Sequence, residues 1–179
     1  MAFLTIRKYG DPVLRKKAQN VAQIDHETRQ VINDMIETLN NAQGVGLAAT
    51  QVGILKRIMI IDLRKREKNG KLYRFVNPEF VEKKGSVKAD EGCLSFPGIT
   101  AEIKRYAQVR VKALDEKGAD VVVEGEGILA RALQHEMDHL DGVMIVDRMG
   151  VMKKLALQAR LNNLKKQQKK DANTISRNA

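Results

Sequence analysis

The segment His135-Glu136-Met137-Asp138-His139 constrains this chain more than any other. Two histidines four apart share one face of an α-helix, a turn from each other, so the segment must be helical for both imidazoles to reach one metal ion. Glu136 then projects beside the ion without having to ligate it, which suits a general base working on a water that the ion activates. The flanks carry the same period. Ile128, Ala132, His135 and His139 form one stripe, Leu129, Leu133, Glu136 and Leu140 the next, and Arg131, Gln134, Asp138 and Asp141 the third side, with Gly142 as a stop. Glu136 thus lies on a largely apolar face, where a carboxylate is costly unless it is paired or functional. The alternative is a half-buried helix with two structural histidines. It is disfavoured because the chain has three histidines and two of them fall here. The pattern predicts metal-assisted hydrolysis.

Catalytic zinc-type sites usually combine three protein ligands with a water. No histidine follows His139, which disfavours the long zinc-protease motif. His26, after Asp25 at the expected start of a helix, reads as a surface residue. The candidate is Cys93, the sole cysteine, within Glu91-Gly92-Cys93-Leu94-Ser95. A lone cysteine is more often a small buried hydrophobe, but beside an HExxH helix it becomes the natural third ligand.

Three segments occur in order: Gly44-Val45-Gly46-Leu47-Ala48-Ala49-Thr50-Gln51, Glu91-Gly92-Cys93-Leu94-Ser95 and Gln134-His135-Glu136-Met137-Asp138-His139-Leu140. Together they resemble the three motifs of peptide deformylases, in particular the bacterial type with a basic C-terminal helix, and the resemblance runs to about Leu164. It implies a hydrolase that removes the N-formyl group from the formyl-methionine of nascent polypeptides and releases formate. It also implies Cys93, His135 and His139 as ligands, ferrous iron as the native ion with Zn2+ or Ni2+ as substitutes, and Glu136 as the proton-transfer group. The Gln51 side-chain amide and the Leu94 backbone N–H would be the oxyanion donors. Val45, Gly46, Gly92, Ile128 and Ala132 would contact substrate.

Read from the residues alone, Gly44 and Gly46 remove side chains, so a substrate backbone could pair with this segment like an added strand. Ile128 and Ala132 could line an apolar pocket or simply pack in a core, and Gln51 could cap a loop. Arg131 and Arg105 could contribute near the site, but by pattern alone each reads as a surface or structural charge.

One cysteine cannot form an internal disulfide, the N-terminus lacks the basic and apolar regions of a secretory signal, and no segment reaches membrane-span length. A bacterial cytoplasm is expected, with neither membrane nor DNA as partner. A helix after Asp25 should bury Val31, Ile32, Met35, Ile36 and Leu39. Strands are expected at 57–62, 72–77, 107–115 and 120–123, with hairpin turns at 67–71 and 116–118. The fold class is then α+β: short antiparallel sheets wrapped around the HExxH helix, with an additional C-terminal helix. Residues 1–164 form one domain and 165–179 a basic, disordered tail.

Most of the net charge of +10 lies at that end, since residues 153–179 hold eight Lys or Arg and one Asp. Met152, Leu155, Ala159 and then Leu161 or Leu164 recur at helical spacing and are expected to pack on the domain. The charges lie outside all three motifs. The resemblance implies docking at the ribosomal exit tunnel, where a basic helix would meet RNA; location and not chemistry is the expected role of the tail.

Overall fold

The computed structural model describes residues 3–177, with side chains through 170. An irregular N-terminal segment leads through a short 3-10 helix, Pro12–Arg15, to α1 (His26–Asn41). Asp25 caps α1 by accepting the Thr28 N–H at 2.8 Å. The helix buries Ile32, Met35 and Leu39, with Val31 and Ile36 half-buried at the edge of the same cluster. The strands are β1 (Gly46–Ala48), β2 (Ile58–Asp62), β3 (Leu72–Lys84), β4 (Val87–Cys93), β5 (Phe96–Arg105), β6 (Gln108–Leu114) and β7 (Asp120–Glu126). The helices α2 (Gly127–Leu140), α3 (Ile145–Arg148), α4 (Val151–Ala156) and α5 (Gln158–Arg177) complete the chain.

Five strands make one antiparallel sheet in the order β1-β2-β3-β6-β7, while β4 and β5 pair as a separate hairpin. The first four residues of β2, Ile58-Met59-Ile60-Ile61, are all apolar because both sheet faces are covered. Ile58 and Ile60 meet α1, whereas Met59 and Ile61 meet Leu133 and Met137 of α2. A third cluster joins Phe96, Ile99 and Ile103 of β5 to Tyr9, Leu14, α3 and Leu161 of α5. The metal-motif helix is therefore gripped on one side by the large sheet. The arrangement is the expected α+β one, and the turns after Asp62 and Leu114 join antiparallel neighbours.

Two features differ from the sequence expectation. The β4–β5 hairpin is absent from it, because Val87-Lys88-Ala89-Asp90-Glu91 has no apolar alternation and the inward row of β5 ends in a buried arginine, Arg105. The second difference concerns the C-terminal region. Met152 and Leu155 are 79% and 60% exposed, and Ala159 is exposed too, so of the expected apolar stripe only Leu161 and Leu164 pack on the domain. The buried row is Leu157, Leu161, half-buried Leu164 and Gln168. Met152, Leu155 and Ala159 share one helix face, whereas Leu157, Leu161, Leu164 and Gln168 share another, and it is the second that packs on the domain. Over the residues of the expected tail, α5 is described as helix to Arg177, and Gln168 and Lys165 contact the N-terminal segment; residues 178 and 179 lie outside the described part.

Candidate metal centre and active site

Helix α2 aims His135 and His139 at Cys93, the last residue of β4, and one donor atom from each of the three lies within 4.8 Å of the others. The Cys93 Sγ to His139 Nε2 distance is 3.2 Å. One thiolate and two imidazoles are a donor set that holds a divalent transition metal with a position left open. Glu136 Oε2 is buried without a hydrogen-bond partner among the described residues, as expected of a site made for a non-protein occupant. The residues fit a metal ion.

Glu136 is 3% exposed. Burial pushes its carboxyl up to about 7, before the charge of any bound ion is counted. Its carboxylate lies over Gly46: a Cβ there would stand 2.3 Å from Oε1 and 2.8 Å from Cδ. The close approach that requires a glycine at 46 is thus made by Glu136. Gly44 makes room for Leu94 in the same way, with Cδ1 at 2.8 Å from a built Cβ.

Gln51, 1% exposed, ends a short 3-10 helix, Ala49–Val52. Its Oε1 accepts the Ala48 N–H at 2.9 Å, which fixes the amide so that Nε2 points to Ser95 Oγ at 3.2 Å and Cys93 Sγ at 3.5 Å. An open pocket of about 360 Å³ lies over these groups. Gly44, Val45 and Gly46 form one wall and Gly92, Cys93 and Leu94 the other, above Ile128, Ala132, His135 and Glu136. Arg66 and Arg131 stand at its margin. Every residue that sequence reading assigned to substrate contact borders this pocket, and His26 is exposed far along the chain at the start of α1. The wall made by β1 is an edge strand, hydrogen-bonded to β2 on one side only.

The polypeptide deformylase family model matches residues 3–155. The chain belongs to that family. A peptide deformylase of Thermodesulfovibrio yellowstonii is 47% identical over 154 residues, covering 86% of this chain and 93% of the relative. The crystal structure of a peptide deformylase from Legionella pneumophila superposes with a TM-score of 0.85 at 40% identity, covering 93% of this chain and 98% of that one. One from Synechococcus elongatus, solved in complex with actinonin, gives 0.83 at 40% identity over 88% and 87% of the two chains. The family comprises metal-dependent hydrolases that act on formylated nascent peptides.

Around the motif residues stands a layer that sequence reading missed. In the sequence Glu91 reads only as part of the segment that carries Cys93. Its Oε2 sits 3.0 Å from His135 Nδ1, and both its oxygens accept from Arg105 at 2.9 Å. Burial alone would raise the Glu91 carboxyl, but the His135 and Arg105 hydrogen bonds outweigh it and hold it at about 2. Arg105 also reaches Asp138 at 2.5 Å, and Asp138 accepts from Arg148. This charged chain fixes the His135 ring and presents its other nitrogen to the centre. Burial opposes a charge on His135, yet hydrogen bonds to Cys93 and Glu91 raise its pKa well above the usual value; His139, with burial and the His135 charge acting together, is lowered well below. The available signal was Arg105 itself, a lone charge closing the inward row of β5.

Proposed function

We propose that this centre removes the N-formyl group from formyl-methionyl peptides, with Cys93, His135 and His139 as ligands and Glu136 as the acid–base group. The observation that carries the assignment is a buried carboxylate, free of protein partners, beside a Cys, His, His cluster. A divalent ion held there supplies a Lewis acid that acidifies the attacking water toward a pKa of about 7 and polarises the formyl oxygen. Glu136 takes a proton from that water as oxygen adds to the formyl carbon. It then returns the proton to the amine nitrogen as the carbon–nitrogen bond breaks and formate leaves. One carboxylate beside both the water and the leaving nitrogen can serve both halves of this exchange. Gln51 Nε2, oriented by the Ala48 N–H, and the Leu94 N–H are assigned to the negative oxygen of the tetrahedral state.

The substrate backbone extends along the free edge of β1, and its methionine side chain enters the apolar part of the pocket at Val45, Ile128 and Ala132. Gly92 leaves room on the facing wall. We take ferrous iron as the native ion, with zinc or nickel as substitutes, since the donor set accommodates all three. Anaerobic purification with metal analysis should recover stoichiometric iron; zinc alone would overturn that choice. No helix of the described residues is long and apolar enough to cross a membrane, and we place the activity in the bacterial cytoplasm. The ribosome near its exit tunnel is the proposed partner of α5, whose Lys165, Lys166, Lys169 and Lys170 are exposed.

Formate release from a formyl-methionyl peptide, measured beside cleavage of an unformylated protein, tests the reading. Formate without internal cleavage is expected. Internal cleavage without formate would make the centre that of an endopeptidase.

A further inference from the structure

Cys93 and Leu94 lie where a protein is ordinarily least fixed. They stand at the end of a β-hairpin whose two-residue tip is Leu94-Ser95, next to a register shift at Gly92 and Cys93. Loop tips are mobile unless something ties them down, yet a ligand and an oxyanion donor must hold position to a fraction of an ångström.

The tie comes from three consecutive residues of the irregular N-terminal segment. Lys8 Nζ donates to the Leu94 carbonyl at 2.8 Å. The Tyr9 N–H donates to the Ser95 carbonyl at 2.9 Å, and the Arg7 N–H to the Gln51 carbonyl at 2.7 Å. Residues 7–9 thus bond to both backbone segments that carry the assigned oxyanion donors. Being neither helix nor strand, this segment has no ladder of its own, and α5 supplies part of what holds it. Gln168 accepts the Lys8 N–H through Oε1 at 3.2 Å and donates through Nε2 to Asp11 at 3.2 Å. Lys165 lies over the Tyr9 ring, 5.0 Å from its centroid. Gly10, at φ 112°, lets the α5 backbone come so near that a Cβ would stand 2.9 Å from Lys165 Cα. Leu161 and Leu164 share their cluster with Tyr9, Phe96 and Cys93.

We propose that Gln168 and Lys8 are positioning residues for the oxyanion side of the centre, forming a relay from the C-terminal helix to the Cys93–Leu94 tip. The helix that looks like a location device is then part of what keeps the reaction geometry, and residues beyond 164 are not dispensable for chemistry. This inference rests on the assignment of Leu94 made above.

The test uses the full-length, zinc-loaded chain. Lys8→Met keeps the side-chain stem and removes the donor, Lys8→Arg keeps a donor, and Gln168→Leu removes both amide bonds. Lys8→Met and Gln168→Leu should each lower kcat by about tenfold, less than the loss of an oxyanion donor itself. KM and zinc content should not change. Lys8→Arg should recover most of the rate, and Lys8→Met combined with Gln168→Leu should be no slower than Lys8→Met alone, because both act along one path. Backbone amide exchange at residues 94–96 should quicken in the two impaired variants. Unchanged kcat, a rate loss that tracks zinc loss, or unchanged exchange would each overturn the relay. If wild type releases no formate, the functional reading falls, and amide exchange alone still decides whether the helix holds the tip.

Discussion

A single missing methyl at position 46 shows how tightly the centre is built. Gly46→Ala would drive a Cβ into Glu136, so turnover should fall by a factor of about 100 or more while the ligands, which do not touch that Cβ, keep their ion. Equal loss of metal and rate on elemental analysis would show that the damage lies elsewhere. Glu136→Gln should likewise retain metal and lose turnover by about 10²–10⁴. Cys93→Ala should lose metal instead. Glu91→Gln keeps an acceptor for His135 but leaves Arg105 short of a charge in the interior, and metal affinity should weaken by about 10- to 100-fold in a chelator titration. These residues differ in how far sequence reveals them. Histidines four apart and a carboxylate on an apolar stripe announce themselves, because helical period is local. Glu91 does not, because its partner Arg105 is made inward-facing by a strand pairing that its own neighbours do not signal.

Elements were legible where the covering layer is simple. β2 reads as a strand because both faces are covered, and α1 because one face is. β3 runs on to Lys84 past Pro78 only through register shifts after Val76 and Phe80, with Asn77 in the left-handed region at φ 52°, so its second half escapes a search for alternation. In the C-terminal region the helical period is legible, but two faces carry apolar residues, and the sequence does not say that the Leu157, Leu161 and Leu164 face is the one that packs. Leu161→Ala should cost about 2–5 kcal/mol in urea unfolding, whereas Leu155→Ala, at an exposed position, should stay within about 0.5 kcal/mol. The reverse order would restore the stripe through Met152 and Leu155.

Across the whole molecule, distant parts are joined by charge as well as by apolar packing. Arg15, the last residue of the first 3-10 helix, pairs with Asp147 of α3, and Asp147 also accepts the Met144 N–H at 2.8 Å. Burial alone would raise the Asp147 carboxyl, but Arg15 and the Met144 N–H hold it below the ordinary aspartate value. The folded pKa lies under the unfolded one, so this contribution is complete above about pH 4 and is lost as pH falls through the folded value. Asp147→Asn should therefore lower the unfolding midpoint at pH 7 by the equivalent of about 1 kcal/mol or less, because the pair is partly exposed. The difference should shrink as pH falls through the folded value; a difference that stays constant in acid would trace to packing.

The unpaired edge of β1 has a consequence in time. An edge strand recognises backbone only while that backbone is extended and its own N–H and C=O groups are uncommitted. Once the first residues of a new polypeptide enter a helix or an interior strand of their own domain, they no longer match. On the proposed pairing of substrate with β1, the reaction has a deadline set by the folding rate of each substrate, and chains that bury their N-termini quickly should be the ones that keep their formyl group when this protein is scarce.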